Sequence, residues 1–306
     1  MPVKHPKIAV LLAAYNGMQW IEEQVASILG QQAVDVTIHI SVDLSDDGTE
    51  EWCEELAAAN GRVILLTRAG RFGGAARNFF RLFRDVDLHG YDAVAFADQD
   101  DIWHCDKLAR AMDVIAARGV DAYSSNVTAF WPDGRTILLD KSQAQVDWDF
   151  LFEAAGPGCT YVLSAVLAKS LRQEVIRVWE QLQQVTLHDW YCYAFARSHG
   201  FKWFIDSRSS MLYRQHENNQ VGANIGLSSL LQRYASIRQG WWFRQVRIIA
   251  LLVGVDNLPF VRSWLMLRRR DFLLLSLRCS QCRRRLRDKF LFFFVCCMTA
   301  IVGTKT

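Results

Sequence analysis

The sequence contains no apolar run as long as the ~20 residues that a membrane-spanning helix needs. Its apolar run at residues 290–303 has fourteen residues. As a helix it would extend about 21 Å, short of the ~30 Å hydrocarbon core of a bilayer. The run at residues 8–14 follows Lys4 and Lys7, as in a signal peptide, but it has only seven residues and lacks a clear cleavage site. We therefore predict a buried first strand at that point.

Closely spaced cysteine pairs are also scarce. The chain has eight cysteines, but Cys279 and Cys282 form its only C-x-x-C, and no second such pair completes a structural zinc site. Four others lie far apart and suggest no disulfide framework: Cys53, Cys105, Cys159 and Cys192. Reduced thiols in a cytosolic compartment are the simpler interpretation.

The glycine-rich stretch GRFGGAARN, at residues 70–78, lacks the G-x-G-x-x-G spacing of dinucleotide-binding folds. It also follows the third predicted strand, so a dinucleotide-binding fold gains little support. Arg71 and Arg77 stand in this stretch, where guanidinium groups suit phosphate or carboxylate. The alternative for each arginine is an ordinary surface charge.

Charge is distributed unevenly along the chain. Residues 1–222 carry 20 Lys and Arg against 29 Asp and Glu, whereas residues 223–306 carry 15 against three. An acidic body is thus followed by a basic region of mainly helical pattern, and we place a domain boundary between residues 222 and 223. Basic regions of this kind suit nucleic acid or an anionic membrane surface.

Apolar patterns alternate between strand and helix along the acidic body. Strands are predicted at residues 7–14, 34–42, 62–67, 91–97 and 122–130, and helices at 20–29, 49–59, 79–83 and 106–118. This alternation predicts an α/β fold with a mostly parallel, Rossmann-like sheet covered by helices on both faces. Ligands of such sheets bind beyond the carboxyl ends of the strands.

Three carboxylates crowd the end of the fourth predicted strand, in FADQDDIW: Asp98, Asp100 and Asp101. Neighbouring carboxylates do not all ionise cheaply without a cation. Mg²⁺ or Mn²⁺ accepts one or two carboxylates and completes its shell with water and substrate phosphates. The cluster is therefore a candidate metal anchor, and a solvated loop with helix-capping acids is the alternative.

Two later segments concentrate polar side chains beside apolar ones. In LHDWYCY, His188 and Asp189 precede a predicted helix, where Asp189 is either a functional carboxylate or an N-cap. MLYRQHENNQVG brings Arg214 and His216 together with two asparagines after an apolar strand. A histidine in such company is a candidate metal ligand or diphosphate donor, although a lone histidine is more often structural.

Taken together, these motifs resemble glycosyltransferase family 2, whose members have the GT-A fold, and within it the inverting bacterial rhamnosyltransferases of cell-surface polysaccharide assembly. The resemblance runs across residues 7–222 in the expected order. It is carried by AVLLAAYNG, VDLSDDGT, GGAARNF, FADQDDIWHCDKL, GCTYVLS, HDWY and YRQHENNQVG. The family more often has two adjacent acids in the second of these, and here Val42 replaces the first while Asp43 is retained.

The resemblance implies a role for each matching residue. The nucleotide sugar would be bound by Ala14, Asn16, Asp43, Arg77, Asp98 and Arg214, and Mg²⁺ or Mn²⁺ by Asp98, Asp100 and His216. Asp189 would be the catalytic base, and the acceptor would lie near Gly158, Cys159 and Thr160. By resemblance the donor is dTDP-L-rhamnose, with a UDP-hexose as the alternative, and the acceptor is a lipopolysaccharide core or O-antigen glycan, free or lipid-linked.

Two other classes of protein compete with this interpretation. Haloacid-dehalogenase-like phosphatases also use D-x-D, but their motif usually follows the first strand, not the fourth. A membrane-bound scaffold with a decayed site is the non-catalytic alternative.

The basic region is expected to attach the protein peripherally to the cytoplasmic face of a bacterial inner membrane. A helical cap with its arginines in water is the alternative. Nucleic acid is not expected as a partner, because no recognised reading module accompanies the charge.

Overall fold

One nine-stranded sheet runs through the computed structural model, which describes residues 5–216 and 240–303. Its strands are β1 (Lys7–Ala14), β2 (Asp35–Val42), β3 (Val63–Leu65), β4 (Ala93–Ala97), β5 (Ile102–Trp103), β6 (Ala122–Phe130), β7 (Thr136–Leu139), β8 (Val162–Ser164) and β9 (Trp203–Arg214). Their spatial order is β3-β2-β1-β4-β8-β6-β9-β5, and β7 pairs with β6 outside this path.

The sheet is parallel across the first four predicted strands and mixed beyond them, where the fifth predicted strand, β6, runs antiparallel to β7 and β8. Strands β3, β2, β1 and β4 pair in parallel, so their carboxyl ends meet at one edge. Strand β8 then runs antiparallel to both β4 and β6, which places the residues that precede β8 at that same edge. Strand β9 pairs in parallel with β6 and antiparallel with β5. The predicted α/β fold is confirmed.

Helices cover both faces of the sheet, as predicted. Residues 5–216 contain α1 (Ile21–Leu29), α2 (Thr49–Ala59), α3 (Ala75–Asp85), α4 (Lys107–Arg118), α5 (Asp149–Phe152), α6 (Ala165–Arg177), α7 (Trp179–Leu182) and α8 (His188–Ser198). The central strand β1 is buried on both sides, since Ile8 and Val10 face one apolar cluster and Ala9 and Leu11 face the other.

The C-terminal region is helical and packs against the body. Its helices are α9 (Trp241–Leu252), α10 (Pro259–Arg262), α11 (Arg269–Ser276), α12 (Cys279–Cys282) and α13 (Leu286–Val302). Phe243, Phe272 and Phe292 belong to the same buried cluster as α3 and α8. The boundary predicted between residues 222 and 223, and Asn218 and Asn219, lie outside the described residues. None of the described helices is long and apolar enough to cross a membrane.

Part of the basic charge of this region binds the body. Arg284 is buried, and its Nη1 atom lies 3.3 Å from Oδ2 of Asp149, whose other oxygen lies 3.1 Å from Nη1 of Arg197. Arg283 lies 3.7 Å from Glu153 and donates a hydrogen bond to the carbonyl of Phe152. These two arginines hold the C-terminal helices in place and are not available to a membrane.

Candidate active site

The carboxyl ends of β1, β2 and β4 bring three predicted site residues to one edge of the sheet. Ala14 ends β1, Asp43 follows β2 and Asp98 follows β4. The backbone N–H of Asp43 donates to the carbonyl of Ala14 at 2.8 Å, which continues the pairing of the two strands beyond their last residues. The predicted site residues therefore start from a rigid, buried part of the sheet.

The acidic turn after β4 is crowded and largely buried. Asp100 and Asp101 are buried, and Asp98 is half-buried. Burial, followed by the charges of Asp100 and Asp189, raises the pKa of Asp98 to about 7. Burial and the charges of Asp100 and Asp98 also raise the pKa of Asp101 well above its ordinary value. The fold thus concentrates negative charge that a bound cation would stabilise.

The end of β9 folds back onto this turn. His216 Nε2 lies 2.7 Å from Asp100 Oδ2, and its ring stacks on Trp20 with centroids 4.0 Å apart. Arg214 donates from its backbone N–H to Asp101 at 3.2 Å and from Nε to the carbonyl of Asp100 at 2.8 Å, and it pairs with Glu23. Two predicted metal ligands, Asp100 and His216, therefore meet directly, and Arg214 binds the turn itself.

The donor atoms at this turn fit a hard divalent cation. Ligand atoms of Asp98, Asp101 and Cys159 all lie within 4.8 Å of one another. Burial and the nearby carboxylates raise the pKa of the Cys159 thiol well above its ordinary value, which keeps the sulfur protonated and makes it a poor ligand. The carboxylate oxygens of Asp98 and Asp101 remain in this group, and such ligands suit Mg²⁺ or Mn²⁺ better than a thiophilic metal. The predicted ligands Asp100 and His216 are not members of this group, although they contact each other.

Lys107, which the sequence reasoning did not assign, supports the acidic turn from beneath. Its Nζ atom donates to the carbonyl of Cys159 at 2.6 Å and lies 3.2 Å from the centroid of the Trp103 ring. Burial lowers the pKa of Lys107 to about 7. The sequence does carry one sign of this role, since Lys107 shares the buried face of α4 with the apolar residues Leu108 and Ala111.

Asp189 lies in the first turn of α8, which begins at His188, so the N-cap alternative is wrong. Its Oδ1 atom accepts the backbone N–H of Trp190 at 2.7 Å. Burial raises the pKa of Asp189 to about 6. A carboxylate with this pKa is ionised at neutral pH and remains basic enough to accept a proton.

Gly158 packs directly against the start of α8. A Cβ atom at this position would lie 2.8 Å from His188 Nε2 and 3.0 Å from Asp189 Cβ. His188 stacks on Phe79 with centroids 3.9 Å apart, and burial lowers the pKa of His188 to about 3, so the ring is neutral. Because residue 158 has no side chain, the backbone of the 158–160 segment packs closely against His188 and Asp189.

The neighbouring residues Cys159 and Thr160 are fully buried, in a short 3₁₀ helix (Gly158–Thr160). The Thr160 hydroxyl donates to the carbonyl of Pro157 at 2.7 Å. The predicted acceptor segment therefore lies beside Asp189, with Gly158 against the start of α8.

Asp43 and Arg77 are joined through the glycine-rich loop. The carboxylate of Asp43 accepts the backbone N–H groups of Phe72 at 2.7 Å and of Gly73 at 2.8 Å. Arg77 donates from Nη1 to the carbonyl of Phe72 and from Nε to the carbonyl of Gln183, both at 3.3 Å. Both side chains thus hold the loop in place.

The turn after β1 forms hydrogen bonds with the residues that follow β2 and with those that follow β4. Asn16 has a left-handed φ of 45°, and its side chain exchanges hydrogen bonds with Asp46 at 2.8 and 3.0 Å. Tyr15 donates its N–H to Gln99 Oε1 at 2.7 Å and accepts from Gln99 Nε2 at 2.8 Å. Gln99, the middle residue of D-x-D, was not predicted as a site residue, yet it connects the acidic turn to β1.

Comparison with known proteins shows the family to which the chain belongs. The chain belongs to glycosyl transferase family 2, and the sequence model of that family matches residues 9–157. The dTDP-rhamnosyl transferase RfbG of Shigella flexneri is 44% identical over 279 residues, which cover 91% of this chain and 96% of that protein. The chain is therefore a glycosyltransferase, which argues against the phosphatase alternative.

Solved structures confirm the GT-A fold expected from the resemblance. TarS of S. aureus, residues 1–349 in complex with UDP-GlcNAc, has a TM-score of 0.57 at 12% identity, covering 97% of this chain and 92% of that one. The mannosyltransferase PcManGT of Pyrobaculum calidifontis, in complex with GDP-Man and Mn²⁺, has a TM-score of 0.50 at 14% identity, covering 99% and 89%. At these identities the likeness concerns the fold alone.

Proposed function

We propose that the chain transfers L-rhamnose from dTDP-rhamnose to a hydroxyl group of a bacterial surface glycan of the lipopolysaccharide core or O-antigen type, with inversion at the anomeric carbon. The observation that carries the proposal is the pairing of the acidic turn with Asp189, a second carboxylate close enough to raise the pKa of Asp98. The donor follows from the likeness to RfbG.

The donor would bind along the carboxyl ends of β1, β2 and β4. Ala14, Asn16 and Asp43 would line the nucleotide pocket, since they lie at the ends of adjacent parallel strands. Arg77 fixes the glycine-rich loop beside Asp43. Arg214 would keep the turn that faces the diphosphate in place, because it bonds to both Asp100 and Asp101.

Asp98, Asp100 and His216 would hold a divalent metal, Mg²⁺ or Mn²⁺, at the diphosphate. When bound, such an ion offsets the charge that grows on the leaving diphosphate. The pKa of Asp98, which burial raises, and the contact of the His216 imidazole with Asp100 fit this use. Asp101 and Lys107 support the turn from the buried side.

Asp189 would act as the general base. It takes the proton of the acceptor hydroxyl while that oxygen bonds to the anomeric carbon from the face opposite the diphosphate. The bond from that carbon to the diphosphate breaks, and dTDP leaves with the electron pair. Gly158 leaves room for the Asp189 carboxylate beside the acceptor segment.

A panel of sugar nucleotides tests the proposal. The protein is incubated with dTDP-rhamnose, UDP-hexoses and GDP-mannose, each with Mg²⁺ or Mn²⁺, and release of the nucleoside diphosphate is measured. The expected result is release of dTDP from dTDP-rhamnose. A UDP-hexose is the second candidate donor, as the resemblance to the family allows, and release of UDP alone would favour it.

We also propose peripheral attachment to the cytoplasmic face of a bacterial inner membrane, where a lipid-linked glycan acceptor would be presented. Helix α13 supports this, because its outer side carries Leu286, Phe290, Phe293, Phe294, Ile301 and Val302 in exposed positions. Beyond its first turn, which holds Arg287, Asp288 and Lys289, α13 has no charged residue, and apolar side chains on both its buried and its exposed sides are typical of a buried or membrane-facing helix.

Liposome flotation of the full chain tests the attachment. The wild-type protein should float, whereas the variant with Phe290→Ser and Phe294→Ser should stay in solution. These two side chains are exposed, so the variant keeps the inner face of α13. Equal flotation of both proteins would contradict the role of α13.

A further inference from the structure

The apolar outer side of α13 continues onto the neighbouring helix α11. On α13 the exposed stripe follows helical spacing, with Leu286, Phe290 and Phe294 four residues apart, while Phe292 and Cys296 face the core. On α11 the exposed apolar residues are Leu273 and Leu274, and Arg269 and Arg270 are exposed as well. The two helices pack side by side, and we call their exposed apolar positions together the outer helical face.

Arginines surround a depression at one end of this outer helical face. The depression has a volume of about 350 Å³, and Arg262, Arg268 and Arg270 line it together with Met266 and Leu274. All three arginines are exposed. Leu274 belongs to the depression and to the outer helical face, so charged and apolar surfaces are continuous.

One carboxylate lies among these arginines. Asp271 accepts the backbone N–H of Arg268 at 2.9 Å, and its other oxygen lies 3.6 Å from Nε of Arg270. A single negative charge against three positive charges leaves the depression strongly cationic. The fourth nearby arginine, Arg269, lies 3.5 Å from where a Cβ of Gly303 would stand, beside the end of α13.

We propose that the depression binds the phosphate of an anionic phospholipid headgroup while the outer helical face enters the headgroup boundary. Guanidinium groups bind phosphate oxygens in bidentate fashion, and apolar side chains next to arginines suit the membrane interface. A second copy of the chain fits less well, because a two-fold contact through this surface brings the same arginines together. The proposal rests on the membrane attachment proposed above.

The test measures binding to phosphatidylcholine vesicles with and without phosphatidylglycerol, at low and high salt. The variant removes the three charges of the depression, and a matched control removes three exposed charges of the body. These are Arg262→Gln, Arg268→Gln and Arg270→Gln against Arg62→Gln, Arg135→Gln and Lys169→Gln. Each basic side chain near an anionic surface contributes about fivefold in affinity, so the first variant should bind anionic vesicles roughly 100-fold more weakly.

The control variant should bind anionic vesicles within about twofold of wild type, because its residues lie outside the outer helical face. Equal losses in both variants would show that only total charge matters and would overturn the proposal. So would inorganic phosphate that displaces the protein at concentrations too low to change ionic strength, since a free anion would then be the ligand. A stable dimer by sedimentation, with no vesicle binding, would assign the outer helical face to a second copy.

Donor binding separates this proposal from the enzymatic one. All three proteins should bind dTDP-rhamnose equally by calorimetry, since the depression lies apart from the acidic turn. Vesicle binding without any sugar-nucleotide binding by wild type would refute the proposed donor and leave the headgroup site standing. Conversely, if wild type binds the donor and the depression variant binds anionic vesicles as well as wild type does, the headgroup site is refuted and the proposed donor stands.

Discussion

Nε2 of His216 lies 2.7 Å from Oδ2 of Asp100, although 116 residues separate them in sequence. Strand β9 brings the histidine to this place, and Arg214 secures the strand end by bonding to the carbonyl of Asp100. The late motif and the acidic turn are thus two halves of one site. This contact joins two residues whose metal-binding role the sequence suggests only separately.

Asp100→Ala should lower transfer by at least about 100-fold, because a lost metal ligand removes charge stabilisation of several kcal/mol from the transition state. The fold should persist, since Asp100 lies in a turn beside the carboxyl end of β4. Turnover is measured with saturating donor and titrated Mn²⁺, and folding by circular dichroism.

Asp113→Ala is the matched control, because Asp113 is an exposed acid on α4 away from the acidic turn. Its turnover should equal that of wild type. Wild-type turnover that survives excess chelator would contradict the metal assignment, whatever the result for Asp100→Ala.

Asp189→Asn should lower turnover by ~10²–10⁴-fold and leave donor affinity nearly unchanged, because the base acts on the acceptor. In wild type, kcat/KM should rise tenfold per pH unit below about 6, the pKa of Asp189, and level off above it. The variant should lose this limb. A wild-type profile that is flat between pH 5 and 7 would count against Asp189 as the base.

The same substitution predicts a change in stability with a definite sign. Burial raises the pKa of Asp189, so the carboxyl favours folding less as pH rises through about 6. The asparagine variant does not ionise. Its melting temperature relative to wild type should therefore increase from about pH 4 to pH 6 and level off above that range. A relative melting temperature that falls over this range would show that the ionised carboxylate has stabilising partners in the free protein.

Gly158→Ala should lower turnover by ~10–10²-fold, because the added methyl group would lie 2.8 Å from His188 and 3.0 Å from Asp189 and must displace the base. Gly61→Ala is the matched control, since a Cβ at residue 61 meets no atom within 4 Å. Donor affinity should be similar in both variants. Equal turnover of the two variants would mean that the backbone at residue 158 moves to accept the methyl group without displacing Asp189.

Arg77→Lys should weaken donor binding about five- to tenfold although the charge is kept. The planar guanidinium of Arg77 reaches the carbonyls of Phe72 and Gln183 together, and an ammonium group does not reproduce that fork. Arg71→Lys, in the same loop and exposed, is the control. Unchanged donor affinity by calorimetry would place Arg77 outside the donor site.

Much of the sheet could be predicted because its strands are buried on both faces. The continuous apolar run of β1 identifies a strand at residues 7–14, and the apolar and β-branched residues at both ends of β6 identify one at residues 122–130, each with its observed bounds. The helix predicted at residues 79–83 is longer in the structure, where it runs from Ala75 to Asp85. The prediction began too late because Ala75 and Ala76 show no clear helical spacing of apolar side chains. Strand β9 and the reversal at β8 depend on long-range pairing, which local patterns do not record.

The candidate site was predictable where charge interrupts apolar sequence and not where contacts are distant. Asp98, Asp100 and Asp189 stand out in sequence for that reason. Lys107, Gln99 and Asp101 act by contacts with other strand ends, so their roles appear only when the chain is folded. The ion pair of Arg284 with Asp149 was unpredictable for the same reason, because the two residues lie far apart along the chain.

The most direct test of the central claim is a single-turnover measurement of dTDP release from dTDP-rhamnose with a glycan acceptor and Mg²⁺ or Mn²⁺. The account predicts release that needs the metal, needs acceptor for full rate, yields an inverted glycosidic linkage and is lost in both Asp100→Ala and Asp189→Asn. Transfer with retained configuration, or full transfer in chelator, would contradict it.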